Sequence, residues 1–204
     1  MTNMDYRFGL KPVRSFLGGA DDIKVRPYYV PSTYATALYI GDPVVVTGTS
    51  NTTLVNNKYK PGTLPEINKA TAGATYPITG VIVGFIKPTM SSSDLSKSYN
   101  PAYTESVVLV CDDPYAVFEI QADSANEVAA TDISANANVV YTHSGDTVYG
   151  LSGAELNTAS MTADVTYQLT ILGLVNREDN ALGTNAKLEV MINLHTYKAA
   201  VVGV

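Results

Sequence analysis

Between residues 37 and 195 the chain is divided into short apolar runs, and Gly, Pro, Asn or Asp clusters interrupt each of them. The runs cover residues 37–40, 43–47, 78–87, 106–111, 116–121, 138–142, 147–151, 165–175 and 187–195. Runs of this length and punctuation make strands, and many of them at close spacing make an all-β sandwich or barrel. The aromatic content agrees: 14 Tyr and 4 Phe stand beside no Trp. Together with abundant Thr and Val, these residues favour pleated, half-buried surfaces over helices. In the last run Leu188, Val190, Ile192 and Leu194 fall on one face, with Glu189, Asn193 and His195 on the other. That alternation belongs to an antiparallel strand with one face in the core. The expected fold is an antiparallel β-sandwich or barrel, with a jelly roll among the topologies left open.

Finer features follow from turn chemistry. Ser144-Gly145-Asp146 links residues 139–143 to 147–151 and suits a hairpin. Gly173 interrupts a long run and marks a bulge or corner. Ser124 with Glu127 and Ser152 with Glu155 fit the capping box of a short helix, and Thr63-Leu64-Pro65-Glu66 is a weaker start of the same kind. A few short helices are therefore expected between the strands.

Residues 1–36 differ from the rest. They carry Pro12, Pro27, Pro31 and the Gly18-Gly19 pair, and proline's missing donor favours an extended arm over a central strand. The reading is an arm over 1–36 and a single β-domain over 37–204. The net charge of -6 divides unevenly between them. Residues 1–30 hold five basic and three acidic side chains, a balance of +2, and the remainder carries -8. Tyr6, Arg7, Phe8, Lys11, Arg14, Phe16, Lys24, Arg26, Tyr28 and Tyr29 give the arm the composition of an interface anchor. Asp5, Asp21 and Asp22 are interleaved, so a protein-binding arm fits better than a nucleic-acid patch. Residues 87–101 read as a polar loop. Residues 199–204 are apolar, so they are expected to form a last strand or to be buried against a neighbour.

The search for chemistry comes back empty. A single cysteine, Cys111, excludes an intrachain disulfide and a Cys-based zinc site, and two histidines make a His-rich centre unexpected. Cys111 lies inside a strand as a buried, inert thiol. His143 and His195 read as surface or half-buried histidines. Gly150-Leu151-Ser152-Gly153-Ala154 lacks the second glycine of a nucleophile elbow. Asp112-Asp113-Pro114 and Glu178-Asp179 read as turns, and no phosphate loop is present. An acidic chain with 13 Lys and Arg lacks a nucleic-acid binder's footprint. No apolar run reaches the length of a secretory h-region or a membrane span. The expectation is a non-enzyme without cofactor or metal, binding neither nucleic acid nor membrane.

Several segments carry a resemblance. Arg7-Phe8-Gly9-Leu10-Lys11-Pro12-Val13-Arg14, Tyr28-Tyr29-Val30-Pro31 and Ala37-Leu38-Tyr39-Ile40-Gly41-Asp42-Pro43-Val44 are similar to segments of tailed-phage virion proteins of this size. So are Val81-Ile82-Val83-Gly84-Phe85, Leu172 through Asn180, Gly183 through Lys187, and Ile192-Asn193-Leu194-His195. The likeness runs over nearly the whole chain and is weakest over 47–75. The chain resembles the head decoration, or cement, proteins of tailed bacteriophages. The resemblance implies an all-β virion protein on the outer capsid surface, made in the host cytoplasm. It also implies that the protein binds the major capsid protein across capsomer junctions as a homodimer or homotrimer. Two other readings stand beside it: a tail or baseplate adaptor, and a carbohydrate-binding β-sandwich for host attachment, against which the absence of Trp counts.

Overall fold

The computed structural model describes residues 3–18, 23–86 and 98–198. The polar stretch 87–101 thus lies largely outside the described residues, and the apolar segment 199–204 lies wholly outside them. The strands are β1 (Lys11–Ser15), β2 (Val25–Val30), β3 (Pro43–Ser50), β4 (Pro65–Lys69), β5 (Gly80–Ile86), β6 (Ser106–Cys111), β7 (Ala116–Gln121), β8 (Asn136–Ala137), β9 (Val139–Val140), β10 (Glu155–Leu156), β11 (Leu169–Leu174) and β12 (Lys187–Ile192). They form a five-stranded antiparallel sheet in the order β1-β7-β12-β11-β8 and a closed barrel in the order β2-β4-β3-β5-β6. A small β10-β9 pair stands beside them. The all-β, antiparallel expectation is met, with the barrel and the sheet both present.

One continuous stretch explains how the two halves share a core. β6 ends in the barrel, Asp112–Tyr115 turns, and β7 begins in the sheet. The Tyr115 N–H donates to Asp113 Oδ1 at 2.9 Å, and the Ala116 N–H to the Asp113 carbonyl at 3.1 Å. The Asp-Pro turn read from sequence is thus a turn. On β5, Val81 packs into the core of the sheet while Ile82 packs into the core of the barrel. β6 divides in the same way, with Val108 and Val110 in the barrel and Cys111 toward the sheet. Strands that bury both faces read as unbroken apolar runs. On β12, Leu188, Val190 and Ile192 are buried and Glu189 and Met191 are half-buried, as alternation requires. The β11–β12 register shifts between Ile171 and Gly173, which is the bulge the glycine marks.

Within the first 36 residues, the described segments 3–18 and 23–36 carry strands of the fold and are not a separate arm. β1 is the edge strand of the sheet, paired with β7, and β2 is a stave of the barrel, paired with β6 over six residues. Prolines pointed away from strands because a central strand needs every N–H. Pro12 instead sits at a register shift on an edge strand. Pro27 lies where β2 has β6 on one side and meets β4 only at Tyr29. Removing residues 1–26 would delete structural strands rather than trim an appendage.

Other local expectations are corrected too. None of the three proposed helix starts opens a helix. Thr63–Glu66 leads into β4, where Ile67 alone is fully buried and Glu66 and Asn68 are half-buried. The Ser124 segment is held by Asp123 and Thr158, which accept from the N–H groups of Ala125 (3.3 Å) and Asn126 (2.8 Å). Ser152 and Glu155 are consumed by tertiary partners, and Glu155 lies in β10. Among the described residues helix is reduced to two single 3-10 turns, Ala130–Asp132 and Thr158–Ser160. The 139–143/147–151 hairpin is absent, because β9 pairs with β10 instead. Residues 37–40 contribute isolated bridges, Leu38 with Asn100 and Ile40 with Leu151.

Two glycines fix how the N-terminal segment meets the barrel. Gly9 (φ 71°) and Gly41 (φ 91°) face each other, and the Leu10 N–H donates to the Gly41 carbonyl at 2.9 Å. A Cβ on Gly41 would overlap the Phe8 carbonyl, and one on Gly9 would overlap Gly41 and Ser152. Gly48 (φ 86°) shares the backbone conformation but has open space around it. Gly48→Ala is therefore expected to cost about 1–2 kcal/mol from backbone strain alone. Gly41→Ala should cost about 2 kcal/mol more through overpacking. Urea denaturation of the two variants measures the difference, and equal losses would contradict the close approach.

Candidate functional site

The N-terminal segment runs across the back of β7 and is pinned at several points. Asn3 is buried, donating to the carbonyls of Ala181 (2.9 Å) and Thr184 (2.8 Å) and accepting from the Ala181 N–H (2.9 Å). The Met4 carbonyl accepts from Lys187 Nζ. The Tyr6 N–H donates to Gln121 Oε1 at 2.8 Å, and Gln121 Nε2 donates to Asp5 Oδ1 at 2.8 Å. The backbone of this segment is thus fixed, while several of its side chains remain outside.

The ten candidate contact residues separate into four groups. Tyr6, Phe8 and Lys11 line a cleft of about 520 Å³, and Tyr6 is 51% exposed. Arg7 lies 3.6 Å from Asp5. At the far end of β1, Arg14 is bound to Glu189 at 2.6 Å and its guanidinium lies 5.8 Å from the ring centroid of Phe16, which is exposed. Lys24 and Arg26 line a separate cleft with Asp112 and Asp113, and Arg26 lies 3.5 Å from Asp112. Tyr28 is no surface residue: it is buried in the barrel core, and its hydroxyl donates to the buried Asp112 at 2.7 Å. Burial, followed by that carboxylate, pushes its phenol well above the usual range. Tyr29 is half-buried, donates to Glu105 at 2.7 Å, and is raised for the same reasons.

Beneath the junction lies Asp42, fully buried at the start of the barrel. Its Oδ1 accepts from Ser152 Oγ at 2.6 Å and lies 2.9 Å from Lys69 Nζ, and its Oδ2 accepts from the Tyr39 N–H at 2.9 Å. Lys69 Nζ also sits 4.4 Å from the centroid of the Tyr141 ring. This network holds the loop that carries Leu151 and Ser152 against the barrel. It also commits the Ser152 hydroxyl to a carboxylate.

A second buried carboxylate is Glu155, which the sequence placed in a capping box. Its Oε2 accepts from Thr142 Oγ1 at 2.6 Å and lies 3.0 Å from His143 Nδ1, and its Oε1 accepts from Gln121 at 3.2 Å. His143, with its side chain half exposed, borders a cleft of about 370 Å³ with Asp5, Arg7 and Asp146. The imidazole is oriented, as a general base would be. Ser152, on the same cleft, donates to Asp42, so that hydroxyl is not presented to the ring. His195 departs from expectation: it is 3% exposed, accepts the Tyr197 N–H on Nδ1 at 3.0 Å, and has its Nε2 without a hydrogen-bond partner. Burial, then the neighbouring Lys198, pushes it down to about 4. Cys111 is buried as expected, and desolvation raises its thiol to about 11. Among the described residues no three of His, Cys, Asp and Glu gather as metal ligands, and no helix is long and apolar enough to cross a membrane.

The arrangement that stands out is a continuous groove. The 520 Å³ cleft has Phe8, Lys11 and Leu151 in common with a second one, about 340 Å³, whose other walls include Pro12, Ile40, Ile82 and Val83. At its opposite end stand Arg177, Glu119 and Lys187. Sequence reasoning missed these three because they are distant in sequence and meet only when β7 and β12 pair beside β1. The signal within reach was the segment 176–180, which was read as a connecting loop between two strands. The chain matches no protein-family model, no curated protein and no solved structure.

Proposed function

We propose that this protein is a non-enzymatic virion component that binds the outer surface of a tailed-phage head and stabilises the shell. The observation that carries the reading is convergence. Five of the segments that resemble phage decoration proteins are separate in sequence, yet each supplies walls of the groove. They contribute Phe8, Lys11 and Pro12; Ile40; Ile82 and Val83; and Arg177 and Lys187. A groove with a fixed backbone and protruding Tyr, Phe and Lys side chains is preorganised to anchor a partner, because little ordering cost remains at binding. Many copies on one shell add avidity to modest single contacts. The major capsid protein is the partner, with self-association of the β-body beside it.

The test uses purified expanded heads lacking this protein. Tyr6→Ser combined with Lys11→Glu alters two surface side chains and no core residue. At least tenfold weaker binding to heads is expected, as for loss of an interface anchor. Unchanged occupancy would overturn the assignment. Copy number separates the shell reading from a tail adaptor: hundreds per particle for the shell, about six to a dozen for a tail ring.

A further inference from the structure

The groove is chemically polarised. One end is apolar, formed by Pro12, Val83 and Leu151 with Phe8. The other end brings together three cations, Lys11, Arg177 and Lys187, and two carboxylates, Glu119 and Asp179. Both carboxylates are already engaged by the same guanidinium: Arg177 lies 2.9 Å from Glu119 and 3.4 Å from Asp179. Lys11 and Lys187 have no carboxylate within ion-pair distance among the described residues. Lys187 is the more telling of the two. It is only 6% exposed and lines the cleft, and its Nζ donates to a backbone carbonyl, that of Met4. An ammonium has three donors and is costly to bury without a counter-charge. Desolvation, then the charge of Arg177, lowers its pKa against the opposing charges of Asp179, Asp5 and Glu119, and a further anion would raise it.

We propose that this groove binds an extended segment of a partner protein in which apolar side chains stand next to one or two carboxylates. The apolar side chains pack between Phe8, Pro12 and Val83, and the carboxylate accepts hydrogen bonds from Lys11 and Lys187. Charge complementarity selects this occupant. A neutral apolar segment offers no acceptor to the donors that Lys187 leaves unused, and a basic one adds to an end where three cations already outnumber two carboxylates. The inference rests on the proposed function only for the origin of the segment, which would then be the capsid protein.

The test uses fluorescein-labelled peptides Leu-Val-Gly-Asp-Asp and Asp-Asp-Gly-Val-Leu, each with an amide twin carrying Asn for Asp, on the full chain. At least one Asp peptide should bind tenfold or more tightly than its twin in fluorescence polarisation. The preference should fall with added salt, and NMR shifts should cluster at Phe8, Lys11 and Leu151. Lys11→Glu, an exposed change that spares the core, should remove the preference. Lys187→Met, if it folds, should do the same. Equal binding of Asp and Asn peptides, no binding of any, or shifts centred elsewhere would overturn the proposal. So would a change of sedimentation with Lys11→Glu, which would make the groove an interface between copies. Peptide preference with unimpaired head binding by Lys11→Glu would refute the capsid reading and leave the site standing. Lost head binding without peptide preference would do the opposite.

Discussion

Asp42→Ala is expected to destabilise the protein by about 3–5 kcal/mol, the range for removing one partner of a buried ion pair. The carboxylate is fully buried and serves three donors at once: Lys69 Nζ, Ser152 Oγ and the Tyr39 N–H. Its loss leaves an ammonium with a side chain 19% exposed, held over the Tyr141 ring without its counter-charge. A buried hydroxyl and a backbone donor also lose their acceptor. The consequence reaches the groove, since Asp42 follows Gly41, on which Leu10 docks, and fixes the loop that presents Leu151. Chemical denaturation measures the loss. Adding Lys69→Met should recover part of it, because the stranded charge is then gone. A loss below about 1 kcal/mol, or no recovery in the double variant, would mean that water already serves these donors.

How much of this could be read from residues alone differs by element. β6 and β7 were legible to the residue because Ser-Val-Val-Leu-Val-Cys and Ala-Val-Phe-Glu-Ile-Gln are strongly β-forming and the Asp-Asp-Pro-Tyr turn separates them. β1, β2 and β4 were not, since each carries a proline, and proline reads as a break until one knows that a strand lies at an edge or at its first residue. The helix starts failed for a different reason. A Ser and a Glu three residues apart are equally suited to capping a helix and to tertiary hydrogen bonds, and at Ser152 and Glu155 the tertiary partners Asp42, Thr142 and Gln121 take them. The groove was half legible. Tyr6, Phe8 and Lys11 stood out through their types, whereas Arg177 and Lys187 become part of a site only when β12 and the loop before it fold beside β7.

His195 supplies the second large effect, an acid-linked loss of stability. The sign follows from where the proton binds. In the unfolded chain the imidazole titrates near about 6.5, and in the folded protein it is pushed down to about 4. The unfolded state therefore takes up the proton first. The stabilisation is fully present above about pH 6.5 and is lost progressively as pH falls toward 4. The shift corresponds to about 3 kcal/mol at most. Burial is the main cause, with Lys198 adding repulsion and the Asp113 carboxylate and Asp112 backbone opposing it. Protonation also ends the Tyr197 N–H bond to Nδ1, because that nitrogen must act as acceptor. The parallel bridge between Ile78 and His195 joins this segment to the chain entering β5, so the site lies where barrel and sheet meet. His195→Asn should lose some stability at pH 7 but show a flatter profile between pH 7 and 4. Denaturation midpoints across that range compare the two proteins. Parallel curves would show that the carboxylates, and not this imidazole, govern acid sensitivity.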